Sequence, residues 1–232
     1  MQQALLGDGM RKTLLITGLV LLILPNAASA QQSDKDRCFS DPLDVEQIKA
    51  CRNLLPLYEF PDDLAAVHFR RALGYQALGQ LDDVIVDTSR ALDLLRAFEK
   101  RRTDRIATIR NQSLLLRAKT YIAKGQDDLA DADIEKLVAV STPLGVERSE
   151  ASHYNNRAWY YHLIGADAKG LPEVMKALEI DPKDARIIET RAEIYEKLGR
   201  RDEAIADYRT ALAGDPVMKS ARDGLMRMGV TP

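Results

Sequence analysis

Residues 185–218 read ARIIETRAEIYEKLGRRDEAIADYRTALAGDPVM, and residues 151–184 read ASHYNNRAWYYHLIGADAKGLPEVMKALEIDPKD. One pattern underlies both. Ala158, Tyr161, Gly165, Ala177 and Pro182 return 34 residues later as Ala192, Tyr195, Gly199, Ala211 and Pro216. A fixed period of that length, with small and aromatic residues at set offsets, marks an array of helix–turn–helix units. In the second copy Ile188, Ala192, Tyr195 and Leu198 fall on one helical stripe. Gly199 ends that helix, because glycine reaches the left-handed conformation without a Cβ clash. Asp202 is placed to cap a second helix, whose apolar face carries Ala204, Ile205, Tyr208, Ala211 and Leu212. Pro216 stops it. The fold class is therefore all-α, a helix–turn–helix repeat solenoid.

Two weaker copies lie upstream. Ala72, Tyr75 and Gly79 keep the offsets of Ala192, Tyr195 and Gly199, followed by Val84, Thr88 and Ala91. Ala118, Tyr121 and Gly125 keep them again, followed by Ala130, Ile134 and Leu137 and ending near Pro143. Four repeats are expected within residues 61–218: 65–98, 111–144, 151–184 and 185–218. The second helix of the first copy lacks a closing proline and is expected to run on to Phe98. The intervals Tyr75–Tyr121 and Tyr121–Tyr161 are 46 and 40 residues against 34 for the last pair. The extra length falls at 99–110 and 145–150 and lengthens helices or loops at the joins. Residues 219–232 read as a capping helix and tail, with Ala221, Leu225 and Met228 covering the last repeat.

The pattern resembles the tetratricopeptide repeat family. The family's signature positions are matched by Ile188, Ala192, Tyr195, Ala204, Tyr208, Ala211 and Pro216, and by Tyr154, Ala158, Tyr161, Ala177 and Pro182. Arg157 and Arg191 replace the usual leucine. Gly170 and Val174 depart from the signature and are expected to loosen the second helix of their repeat. The resemblance implies a right-handed superhelix whose first helices line a concave groove. In the family's geometry the groove positions are Ala66, Phe69, Leu73 and Gln76; Gln112, Leu115, Lys119 and Ile122; Ser152, Asn155, Trp159 and His162; and Arg186, Glu189, Glu193 and Glu196. The wall changes from apolar at its N-terminal end to acidic at its C-terminal end. The resemblance implies a protein or peptide partner held there, and a tetratricopeptide protein exported by a bacterium. The lysine and asparagine set that grips C-terminal carboxylates in chaperone-binding relatives is not matched.

The first 30 residues read as a secretory signal peptide: Arg11 and Lys12, an apolar run over 13–24, and the small-x-small ending Ala28-Ser29-Ala30. Cleavage is expected after Ala30, placing the chain in the periplasm or outside the cell without stable membrane insertion; an uncleaved anchor is the rival reading. Removing Asp8, Arg11 and Lys12 moves the formal charge from −2 to −3, so no global basic field draws in nucleic acid. Residues 31–37 are polar and expected to be disordered. In the 31–60 segment Val45, Ile48 and Leu55 mark a helix. Cys38 and Cys51 are the only cysteines, and in an exported chain they lead to the expectation of one disulfide. Two free buried thiols remain the alternative; a zinc site would lack a third ligand nearby.

No catalytic constellation is present. His68, His153 and His162 have no metal-binding spacing, and there is neither a phosphate loop nor a nucleophile motif. The expectation is a non-enzymatic binding scaffold without cofactor or metal, with a self-associating structural repeat as the alternative. Trp159, the sole tryptophan, is expected to point away from the Ala158–Tyr161 stripe and into the groove, with Asn155 and His162 one turn to either side.

Overall fold

A computed structural model describes residues 27–98, 104–140 and 149–231. It is all-helical among these residues. Most of the signal-peptide reading, and the second insertion with Pro143, fall outside them. The chain opens with a hairpin of α1 (Ala27–Cys38) and α2 (Val45–Leu54). Residues 31–37 are thus helical rather than disordered. They are anchored because Cys38 is disulfide-bonded to Cys51 with a Cα–Cα distance of 4.8 Å, Arg37 is paired with Asp44, and Asn53 donates to Asp34. Val45 lies outside, not on the apolar side expected for it, whereas Ile48 and Leu54 are buried.

Four helix pairs follow. They are α3 (Pro61–Ala77) with α4 (Leu81–Leu95), α5 (Asp104–Ala123) with α6 (Asp127–Val140), α7 (Glu150–Leu163) with α8 (Asp167–Ile180), and α9 (Ala185–Lys197) with α10 (Arg201–Gly214). Each turn inside a pair holds a glycine at positive φ, from 69° at Gly125 to 78° at Gly165. There a side chain would strain the backbone. α4 stops at Leu95 and tightens into a 3-10 turn over Arg96–Phe98, so it does not continue as one α-helix to Phe98. The extra length after the first repeat extends α5. α10 begins before Asp202, which sits in its first turn and not at the cap.

Alanines form the seams. Ala72, Ala118, Ala158 and Ala192 are fully buried, as are Ala91, Ala130, Ala177 and Ala211. Gly170 lies close against α7 and α9. A Cβ there would sit 3.0 Å from the Ala158 carbonyl and 3.2 Å from Ile194 Cδ1. Val174 beside it is fully buried. The two departures thus tighten α8 against α7 and α9, the opposite of the loosening expected. α11 (Lys219–Arg227) closes the last repeat. Its Gly224 lies against the Tyr208 ring, and Ala221 and Leu225 are buried in the same core.

A polar ladder runs through the apolar seams. In three of the four repeats the arginine at the usual leucine position reaches a carboxylate 16 residues later, on the second helix. Arg71 grips Asp87 at 2.7 and 2.6 Å, Arg117 grips Asp133 at 2.6 and 2.8 Å, and Arg191 grips Asp207 at 2.7 and 2.9 Å. Each guanidinium also lies 5.7–5.9 Å from the ring of the signature tyrosine one turn on, at Tyr75, Tyr121 and Tyr195. Two-point pairing orients both helices of a unit. The third repeat departs: Arg157 Nε is 3.9 Å from Glu173 Oε2, and neither atom has a hydrogen-bond partner among the described residues. Arg157 turns instead to Glu135 of the preceding repeat, at 3.1 Å.

Candidate functional site

Stacking sets first helices beside first helices, so α3 meets α5 and α7 meets α9. The residues expected in the groove lie on these four first helices, and their burial sorts them into three groups. At the N-terminal end Ala66 is buried, and Phe69 and Leu73 pack partly into the clusters around Ala72 and Ala91. Phe69 also lines a cleft of about 390 Å³ with Phe39, Ala66, Arg70 and Ile109 among others. Gln76 is half-buried. In the middle, Leu115 and Ile122 pack partly into the second repeat's core, while Gln112 and Lys119 are exposed. Arg186 is exposed and turned back onto Asp184, the N-cap of its own helix.

The third group is a polar–aromatic row on α7. Asn155, Trp159 and His162 are all half-buried, and Ser152 precedes them. Trp159 belongs to none of the hydrophobic clusters formed by the described residues. Its ring lies 5.4 Å from that of His162, tilted by 31°. His162 is held in place because its Nδ1–H donates to Asp167 Oδ1 at 2.6 Å. Asp167 opens α8, so the turn after Gly165 sets the imidazole's orientation. The other nitrogen, Nε2, faces Glu193 Oε2 on α9 at 3.9 Å.

Glu193 is flanked by Glu189 and Glu196, one turn to either side. Glu196 has its partners: Arg227 of α11 donates to it at 3.0 and 2.8 Å, and Tyr208 at 2.6 Å. Those donors hold Glu196 below the usual carboxylate range. Glu193 has no such help. Burial, then the neighbouring charge of Glu189, push its carboxyl up to about 7. Its Oε2 is closed off from solvent without a hydrogen bond, as is Asn155 Oδ1. Of the other histidines, His68 is bonded to Asp87 at 2.9 Å, and His153 lies 3.8 Å from Glu135. No group of three or more His, Cys, Asp or Glu among the described residues could hold a metal ion.

These features define the class as a helical repeat solenoid. Residues 185–216 match the family model of the tetratricopeptide repeat. A 78-residue stretch is 31% identical to Hsp70-Hsp90 organizing protein 1 of Glycine max, covering 34% of this chain and 14% of that one. The fold is similar to the nearly identical TPR-like repeats from Podosopora anserina, with a TM-score of 0.51 at 16% identity over 86% of this chain and 96% of that one. A tetratricopeptide repeat protein from Parabacteroides merdae superposes with a TM-score of 0.46 at 16% identity, over 87% of this chain and 73% of that one.

Proposed function

We propose that this chain is an interaction scaffold that holds an extended segment of a partner protein along its concave wall, after export from the cytoplasm. The observation that carries the reading is the row Asn155, Trp159 and His162. A large aromatic that is half-buried yet outside every described core cluster, with its neighbour fixed by Asp167, is a preorganised anchor. Phe69, Leu73, Gln76, Leu115, Lys119, Arg186 and Glu189 complete the wall. Its apolar end and its acidic end give a bound segment a direction.

Export is supported by the basic start, apolar run and small-residue ending of residues 11–30. The Cys38–Cys51 bridge also suits an oxidising compartment. Cleavage after Ala30 would trim the first residues of α1 and leave its anchored end intact. N-terminal sequencing of the protein from its host should then begin at Gln31; an intact Met1 or Met10 terminus would sink the export reading.

The groove is tested by displaying random decapeptides on phage and selecting them on the immobilised full chain and on its Trp159→Ala variant. Peptides enriched on the wild type and lost on the variant support the reading. Equal enrichment on both contradicts it.

A second reading, self-association, is favoured by Val217 and Met226. Both are exposed apolar residues around the C-terminal cap. Sedimentation at several concentrations separates the two: dimers that weaken in Met226→Ser would support association through the cap.

A further inference from the structure

Two polar stripes meet where the second repeat joins the third. On α6, Asp127, Asp131 and Glu135 recur every four residues and share one helix face. On α7, His153, Arg157 and Tyr161 do the same. The stripes pair in reverse order. Glu135 lies 3.1 Å from Arg157 and 3.8 Å from His153. Asp131 accepts from the Tyr161 hydroxyl at 2.6 Å. Lys169, in the first turn of α8, reaches Asp127 at 3.0 Å and Asp131 at 3.6 Å.

Apolar contact across this joint is one-sided. The cluster that spans it takes Tyr161, Ile164 and Ala166 from the third repeat, with Tyr160 beside them. All four lie at the end of α7 or in the turn after it. The start of α7 belongs instead to the core of the last two repeats, through Ala151, Tyr154 and Ala158. At the other joints first helices meet directly, α3 with α5 and α7 with α9, whereas α5 and α7 make no contact of that extent. α6 also packs on α7 less extensively than α4 on α5 or α8 on α9. Arg157 itself sits between two carboxylates. Glu173 occupies the position that Asp87, Asp133 and Asp207 hold in the other repeats. Its buried Oε2 is 3.9 Å from Arg157 Nε, and neither atom is hydrogen-bonded among the described residues. A second partner is in place and unused.

We propose that the joint between the second and third repeats is a hinge, with Tyr161, Ile164 and Ala166 as its pivot and the Arg157–Glu135 pair as its latch. With the latch closed, as here, Arg157 ties α7 to α6. With it open, Arg157 turns to Glu173 and completes the fourth rung of the ladder, so the guanidinium keeps a carboxylate in both positions. Opening returns Glu135 to water at little cost, since its side chain is already 43% exposed and a pair so exposed is weak and screened by salt. The first two repeats then swing as one body against the last two, and the α5 and α7 parts of the concave wall change their separation.

The motion is read by double electron–electron resonance between spin labels on introduced cysteines, in the full chain with Cys38–Cys51 intact. Ala132→Cys on α6 with Glu179→Cys on α8 spans the joint. Glu179→Cys with Arg209→Cys on α10 spans the next one, and all three sites are exposed. Raising salt from about 0.1 M to about 1 M shortens the Debye length from about 10 Å to about 3 Å. The first pair's distance distribution should broaden and move to longer values, while the second pair's stays fixed. Glu135→Gln should produce the same shift at low salt, with helix content unchanged by circular dichroism. Glu173→Gln removes the open-state partner and should hold the distribution in its closed form at high salt. A first-pair distribution unmoved by salt and by Glu135→Gln would show that the apolar pivot alone fixes the joint, and would overturn the hinge. Equal movement of both pairs would overturn it too, as would a Glu173→Gln chain that opens like the wild type.

Discussion

Arg117 holds Asp133 with two hydrogen bonds, 2.6 and 2.8 Å long, across the interior of the second repeat. Asp133 is 1% exposed. Arg117 also donates to Ser89 of the preceding repeat at 2.7 Å, so one guanidinium ties α5 to both α6 and α4. Losing one partner strands the other's charge in the seam. Asp133→Ala should therefore cost about 3–5 kcal/mol in urea denaturation. The third repeat is the internal control, because Arg157 and Glu173 do not make that pair. Glu173→Gln should cost under about 1 kcal/mol, since no hydrogen bond to Glu173 Oε2 is lost.

Close packing makes small residues irreplaceable at the seams. Ala192 is fully buried between helices, and Ala192→Leu should cost about 1–3 kcal/mol from overpacking. An unchanged midpoint would mean that the seam lies elsewhere. Gly170→Ala is a sharper case. Helix propensity alone favours alanine by about 1 kcal/mol, but its Cβ would meet the Ala158 carbonyl at 3.0 Å. Net destabilisation is expected despite the better helix former.

Two carboxylates give opposite pH dependence. Burial tends to raise Asp87, but hydrogen bonds from Arg71 and His68 outweigh it and hold the group below its ordinary value. Its stabilisation is present above the ordinary aspartate range and is lost as pH falls through the depressed value. Glu193 runs the other way. Its carboxyl is raised to about 7, so the folded chain binds that proton more readily than the unfolded chain. Stability at this site should fall as pH rises from about 4.5 to 7. The loss should be about 1 kcal/mol, moderated because the side chain is only partly buried and Arg227 and Lys197 offset its charge. Glu193→Gln should melt higher than the wild type at pH 8 and equally at pH 5. A lower midpoint at pH 8 would show that the ionised form is satisfied.

Reduction of Cys38–Cys51 should lower stability by about 3 kcal/mol, as expected for releasing a loop of roughly this size. The effect should be confined to the N-terminal hairpin. Gln47 donates to the Cys38 carbonyl and to that of Arg70, so hydrogen exchange should quicken in α1 and α2 first. Uniform quickening through α9 and α10 would contradict that picture.

The repeat was legible because its residues are defined by shape. Ala192 and Gly199 each have one physical reason to be where they are, and 34 residues later or earlier the same reason recurs. The Arg–Asp ladder was only half legible. Arg157 and Arg191 stand out as replacements for leucine, but their partners lie on the other helix of the pair, among many carboxylates of equal appearance. Residues 31–37 read as disordered because composition does not reveal that Asn53 and Asp44 reach back to hold them. In the candidate site, Trp159 and its neighbours were placed by helical spacing. The isolation of Glu193 was not, because it depends on Arg227 choosing Glu196, a pairing made across 31 residues.

The groove account rests on Trp159 being an anchor and not a core residue, and one variant decides it. Trp159→Ala should leave the thermal midpoint nearly unchanged and weaken binding of a wild-type-selected peptide by about 2 kcal/mol or more. A loss of about 3–5 kcal/mol of stability would place the ring in the core and contradict the account.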